Sequence, residues 1–318
     1  MASPGTVELR GEAARVVIMP SVGGKISELE LGGRQWLWHN KSMPFRPGVD
    51  GSSYVETADS GGYDECFPTV GPCQIPGNVS RFGGLELPDH GELWSQATSI
   101  NVDTASERPS ASTEWTGIRM PYRFSRTVEI GEASTVVIRY EATNNGKDRM
   151  PFIWSAHPLL PLTPSTKLSI AEGTRARVYS QHGIELFGSG AEHAWPRFRT
   201  GQAVLDFSQP DSAGKRFACK VFLEMRTGMA AVDEDGSRLE VLFDLKEVPN
   251  FGLWINRQGW TPFRRGRPYS NIAFEPCIGA PDTLSDALGA WNSAHWIEPG
   301  DTRRWSLTWR GTQAPADA

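Results

Sequence analysis

The stretch Tyr122-Arg-Phe-Ser-Arg-Thr-Val-Glu-Ile-Gly-Glu-Ala-Ser-Thr-Val-Val-Ile-Arg-Tyr-Glu-Ala-Thr-Asn-Asn-Gly146 decides the fold. Tyr122, Phe124, Val128 and Ile130 alternate with Arg123, Ser125, Thr127 and Glu129. Val136, Ile138, Tyr140 and Ala142 alternate with Val137, Arg139, Glu141 and Thr143. Successive strand side chains point to opposite faces, so each row offers one apolar edge to a core. Gly131-Glu-Ala lies between the rows, and Asn144-Asn-Gly146, which tolerates positive φ, closes the second. The pattern predicts an antiparallel hairpin.

Working outward, the same period recurs at Leu239, Val241, Phe243 and Leu245. It recurs again at Trp305, Leu307 and Trp309, after the turn Glu298-Pro-Gly-Asp301. The 33 glycines and 23 prolines are spread throughout, which leaves little room for long helices. One segment departs from the pattern: Leu284, Ala287, Leu288 and Trp291 fall on one face of a short helix, with Pro281-Asp282 as its start. The expected fold is all-β, a large antiparallel β-sandwich with one or two short helices. No linker interrupts the 318 residues, so 1–318 reads as a single domain. The span from Ala171 to Asp235 is the least informative.

The formal net charge of -5 and the lack of a basic patch argue against nucleic acid or an anionic membrane as partner. No apolar run approaches the roughly 20 residues that span a bilayer. The start, Met-Ala-Ser-Pro-Gly-Thr-Val-Glu-Leu-Arg, has no signal-peptide pattern. Cys66, Cys73, Cys219 and Cys277 form no paired C-x-x-C motif and read as buried free thiols of a reducing compartment. A cytoplasmic location is expected. Twelve Trp against six Tyr is an excess of large flat apolar faces. Such faces stack on the C–H side of a sugar ring, and they also fill β cores.

A second stretch carries the chemistry, Asn271-Ile-Ala-Phe-Glu-Pro-Cys-Ile-Gly-Ala-Pro-Asp-Thr-Leu284. An apolar strand runs into Glu275, and Pro276, with no N–H to give, is expected to end the ladder. A carboxylate at the end of a buried strand is costly to leave unpaired and suits proton transfer. His90 precedes Gly91, and His157 precedes Pro158, which holds its backbone extended. Both histidines are expected at strand ends or in tight loops. His39, His182, His193 and His295 read as hydrogen-bonded structural groups. Two His and one Glu could hold a metal, but no H-x-H, H-x-x-x-H or H-E-x-x-H occurs, so none is expected. The other use is paired proton transfer, carboxylate as base and imidazole as acid.

Six segments in order, Gly23-Gly-Lys-Ile-Ser-Glu-Leu29, Gly61-Gly-Tyr-Asp-Glu-Cys-Phe-Pro-Thr69, Leu87-Pro-Asp-His-Gly91, Trp154-Ser-Ala-His-Pro158, Phe274-Glu-Pro276 and Trp296-Ile-Glu-Pro-Gly300, resemble the aldose 1-epimerase (galactose mutarotase) superfamily. The resemblance implies a β-sandwich with a sugar cleft on one sheet and no cofactor. It implies Glu275 as general base on the anomeric hydroxyl, His157 as general acid on the ring oxygen, and His90 as the group that polarises that oxygen. The partner is then a monosaccharide or small sugar, and the protein a monomer or homodimer.

Departures from the family pattern shape the rest. No Asn-Arg pair stands near His90, and Arg81 is the residue that could fill part of that role. The family's substrate-binding Asp has no match, and Phe251-Gly-Leu-Trp-Ile-Asn-Arg-Gln-Gly-Trp260 offers Trp254 and Asn256 instead. Glu92 and Trp94 stand where phosphosugar relatives carry arginine, which predicts a non-phosphorylated sugar. Asp64 and Glu65 either contact hydroxyls or cap a loop. The rival functions are a sugar-binding or sensing protein without turnover, and a lyase or isomerase acting on a carbon acid, which needs an Arg or metal near the developing charge.

Overall fold

The computed structural model describes residues 5–313 except 80, 184, 189, 202, 214, 215, 264 and 265. The hairpin forms as the alternation dictates. Tyr122–Ile130 pairs antiparallel with Thr135–Asn144, Val128 opposite Ile138. It sits inside an eight-stranded sheet, extended by Thr302–Gln313 on one side and Ser110–Thr116 on the other. Its inward residues, including Phe124, Tyr140, Trp305 and Trp309, are buried.

A 13-stranded sheet faces it. Its middle runs Tyr63–Cys66, Trp154–Pro161, Ser270–Ile278, Asn250–Arg257, Phe217–Glu224 and Arg175–Gly183, each antiparallel to the next. Leu160, Ile272, Phe274, Leu253 and Val221 point from this sheet into the shared core. The rings of Trp154 and Trp305 meet across the core at 5.1 Å, and the Tyr63 and Tyr140 hydroxyls at 2.8 Å.

The inward face also carries charge. Arg126 takes a core-facing position of the hairpin and donates to Glu65 at 3.3 Å. Tyr140 and Trp154 each donate to the same carboxylate at 3.1 Å. Burial pushes the Glu65 carboxyl up to about 7, against the pull of Arg126. Glu65 therefore neither caps a loop nor meets a ligand; it is a satisfied core acid.

Three expectations are corrected. The strand does not stop at Glu275 but runs Ser270–Ile278, with Pro276 paired to Phe251. His157 likewise lies inside a strand, Trp154–Pro161, and not at its end. The helix Leu284–Leu288 is capped by Thr283, whose hydroxyl accepts the Asp286 N–H at 3.2 Å, and Trp291 lies beyond its end against Tyr179 and Phe222. A second short helix, Tyr54–Thr57, is the other helical segment among the described residues apart from a 3-10 turn. Cys66, Cys219 and Cys277 are buried free thiols, and Cys73 is half-buried. No helix among the described residues is long and apolar enough to cross a membrane.

Candidate active site

Strand order and register build the site. His157 pairs with Asp64 on one side. On the other side the ladder joins Ser155 to Cys277, then resumes at Leu159 with Ala273. Carried across that gap, the register puts His157 opposite Glu275, and residues directly opposite in an antiparallel pair share a face. Pro158 and Pro276 both lie in the gap, so neither removes a bond from the ladder there. The His157 Nε2 stops 3.9 Å from Glu275 Oε1.

Beyond Glu275 the next strand supplies Gly252. A Cβ on this glycine would stand 3.1 Å from Glu275 Oε2 and 3.3 Å from the Lys220 Nζ. That vacant space lets Lys220 reach over from Phe217–Glu224. Its ammonium lies 2.6 Å from each oxygen of Glu275, and 3.2 Å from Asp282 Oδ1. Ser155 Oγ donates to Glu275 Oε2 at 3.0 Å. A carboxylate offers about four lone-pair sites. With two taken by Lys220 and one by Ser155, the free one is on Oε1, the oxygen nearer His157.

His90 comes to the same place from a loop. Its φ of 58° is left-handed, and Gly91 follows at 72°, with its backbone packed on Phe67 so closely that a Cβ would fall 2.2 Å from the Phe67 oxygen. This turn aims the ring at His157, with ring centres 4.9 Å apart. Tyr54 stacks on the other side of His90 at 3.9 Å. Asp89 Oδ1 lies 2.7 Å from His90 Nδ1.

These groups line a cleft of ≈ 250 Å³. That is below the roughly 300–1,000 Å³ of drug-sized sites and suits a smaller molecule. Glu275, His157, His90 and Lys220 hold one end, and Trp254, Trp260, Tyr269 and His182 wall the other. Tyr269 donates to the buried Asp59 at 2.5 Å and lies against Trp38, with ring centres 4.9 Å apart. The Asn271 Oδ1 and His157 Nδ1 are buried without a hydrogen-bond partner. Buried polar atoms are rarely left so, and here both border the cleft.

No protein-family model matches the chain, and no curated protein matches its sequence. Solved structures match in shape. Slr1438 protein from Synechocystis sp. PCC 6803 superimposes with a TM-score of 0.72 at 16% identity, over 98% of this chain and 97% of its own. A galactose mutarotase related enzyme from Lactobacillus acidophilus gives 0.63 at 13% identity, over 98% of this chain and 100% of its own. A candidate aldose 1-epimerase of Escherichia coli K12 gives 0.65 at 17% identity, over 97% and 99%. This is the galactose mutarotase-like fold. At such identities the likeness is one of backbone.

Within this mutarotase-like frame, Glu275, His157, His90 and Trp254 meet at the cleft. Four other expected binding residues do not border it. Arg81 is exposed and paired with Asp148 at 3.4 Å, because its loop runs over the surface. Asn256 is fully buried. It spends its amide on the turn that follows, donating to the Trp260 oxygen at 3.0 Å and accepting from the Gly259 and Trp260 amides at 3.1 Å. Trp94 is buried behind Tyr54 and donates to the Asp89 oxygen at 2.9 Å. Asp64 lies beneath the cleft, where it accepts from Lys25 and, at 2.6 Å, from Tyr54. Trp94 and Asp64 thus support Tyr54 and the His90 loop. Lys220, Asp59, Tyr269, Trp260 and His182 are among the cleft residues that sequence reasoning missed. His182, expected to be a hydrogen-bonded structural group, is an exposed wall of the cleft.

The electrostatics separate the two histidines. Burial disfavours charge on His90, but Asp89 outweighs it and Asp282 and Asp59 add to the effect, so its pKa rises above 6.5. His157 has no acid at hydrogen-bond distance, the nearest described one being Glu275 at 3.9 Å. Burial, then the positive charge of His90, Lys220 and Lys25, drives His157 well below 6.5. For Glu275, burial raises the carboxyl, Lys220 opposes and Asp282 adds to the rise, with a net upward shift. Burial and the Asp59 carboxylate push the Tyr269 phenol up, so it remains a donor.

Proposed function

We propose that the protein is an aldose 1-epimerase, interconverting the α and β anomers of a non-phosphorylated sugar. The observation that carries this reading is the meeting of an acid–base set from three separate segments. Glu275 has one unfilled lone pair, His157 is 3.9 Å from it, and His90 stands 4.9 Å further on, at one end of an aromatic-walled cleft.

Glu275 Oε1 takes the proton of the anomeric hydroxyl. The C1–O5 bond breaks as the C1 carbonyl forms, and O5 takes a proton. After rotation about C1–C2 the same steps run in reverse on the other face of the carbonyl. The resemblance gave the donor role to His157 and the polarising role to His90. The charges favour the opposite division: His90, whose protonated form Asp89 favours, donates to O5, and His157, whose neutral form burial favours, orients the sugar. The described lysine of the cleft, Lys220, is already engaged by Glu275 and Asp282, Lys25 beneath it by Asp64, and His90 by Asp89, which supports a sugar without phosphate.

Polarimetry or exchange NMR on a panel of aldoses tests the reading. Exchange above the solvent rate, lost in Glu275→Gln, supports it. A second reading, sugar binding without turnover, draws on the contact of Lys220 with both oxygens of Glu275, which weakens a base. Calorimetric binding of an aldose with no exchange in the native protein would select it.

A further inference from the structure

We infer that Lys220 is a positioning residue of the proposed exchange reaction, fixing Glu275 as an anion with only Oε1 open to the sugar. The inference rests on the aldose 1-epimerase reading for its kinetic part. Lys220 is a buried cation in an otherwise apolar strand, and an ammonium in such a place needs compensation. It finds two carboxylates, Glu275 at 2.6 Å and Asp282 at 3.2 Å.

The second contact matters for geometry. The Asp282 backbone oxygen accepts the amides of Val70 and Gly71 at 2.8 and 2.7 Å, so this loop is stitched to the loop leading towards His90. Lys220 thereby joins the sheet residue Glu275 to the wall of the cleft. Gly252 eases the reach, because a Cβ there would press on both the Glu275 carboxylate and the Lys220 ammonium, at 3.1 and 3.3 Å.

The ammonium also decides the ionisation of the base. Glu275 faces Lys220 and Asp282, the His157 ring, and the Cys66 and Cys277 thiols, which burial and then Glu275 itself push up and keep neutral. Lys220 is the cation in contact with it. Without Lys220, burial and Asp282 both raise the Glu275 carboxyl with no cation in contact to oppose them.

The test compares native protein with Lys220→Met and Lys220→Arg. In Lys220→Met the acid limb of kcat/KM for aldose exchange should move up by about 1–3 pH units, with activity partly regained at higher pH. Lys220→Arg keeps the charge and should keep the limb in place. An unmoved limb in Lys220→Met overturns the inference. A second readout needs no turnover: the carboxyl carbon of Glu275, assigned by its loss in Glu275→Gln, is titrated by NMR without sugar. Its midpoint should rise in Lys220→Met, and an unchanged midpoint also overturns the inference. A risen midpoint in a protein whose native form exchanges no aldose supports the Lys220–Glu275 coupling and rejects the epimerase reading instead. Should Lys220→Met not fold, the native protein decides: the Lys220 Nζ signal should shift at the pH midpoint of the Glu275 carbon, and a Lys220 signal unmoved there refutes the pairing.

Discussion

Asp89 holds the His90 ring with one carboxylate oxygen and the segment above it with the other. Oδ1 lies 2.7 Å from His90 Nδ1, while Oδ2 accepts the Tyr54 amide at 2.9 Å and the Ser53 hydroxyl at 3.2 Å. Tyr54 then covers the imidazole face. One acid thus sets the orientation, the cover and the charge of His90.

Asp89→Asn should therefore act on catalysis more than on the fold. The pKa of His90 should fall, and the basic limb of the exchange rate should move to lower pH by about 1–3 units. Loss of the capping charge should cost about 1 kcal/mol of stability. A pH–rate profile and a urea titration measure the two effects. A basic limb unmoved in the variant would count against His90 as proton donor.

Glu275→Gln should abolish exchange and also destabilise. Removing one partner of a buried pair leaves the other uncompensated, at a cost of up to about 3–5 kcal/mol. Asp282, 3.2 Å from Lys220, should hold the loss to the lower part of that range. Urea unfolding of the variant beside native protein checks it.

The two histidines should tilt stability against pH in opposite senses. His90 has a raised folded pKa, so its contribution is full below its unfolded value of about 6.5 and fades as pH rises through the folded one. His157 has a lowered pKa and is neutral in the fold, so it costs stability as pH falls below about 6.5. His157→Asn should compare better with native protein at about pH 5 than at about pH 8, and His90→Asn worse. Urea titrations at both pH values read this. Equal behaviour of the two variants would contradict the assigned charges.

Trp254→Ala should weaken sugar binding without touching the proton-transfer groups. KM should rise about tenfold, equivalent to ~1.4 kcal/mol, with kcat nearly unchanged. Steady-state kinetics decide. A fall confined to kcat would place Trp254 outside the binding wall.

Arg81→Ala should change neither activity nor stability beyond about 0.5 kcal/mol, since its one salt bridge is exposed. Loss of exchange in this variant would return Arg81 to the site.

The fold was legible because its signal is local. Period two from Tyr122 to Ala142 needs no tertiary knowledge, and the structure pairs those residues as an antiparallel hairpin. Glu275, His157 and His90 stood out because each sits beside Pro or Gly in an apolar setting. Lys220 did not, although it left a trace: one Lys among Phe217, Ala218, Cys219, Val221, Phe222 and Leu223 is a charge with no local way out. Its meaning depends on Gly252 and Glu275, on neighbouring strands far apart in sequence. Asp59, Trp260 and Tyr269 reach the cleft from loops, where no periodicity announces direction. Asn256 misled because a polar residue within an apolar strand looks the same whether it faces a ligand or a turn.

The paired prolines at the seam between Trp154–Pro161 and Ser270–Ile278 have a mechanical meaning. A row of interstrand bonds fixes the width between two strands, and widening it breaks bonds one by one. Between the Ser155–Cys277 and Leu159–Ala273 pairs, where Pro158 and Pro276 lie, the row has no rung, so fewer bonds set the spacing of His157 and Glu275. Under the aldose 1-epimerase reading, this unbonded seam is the line along which the hemiacetal would lie.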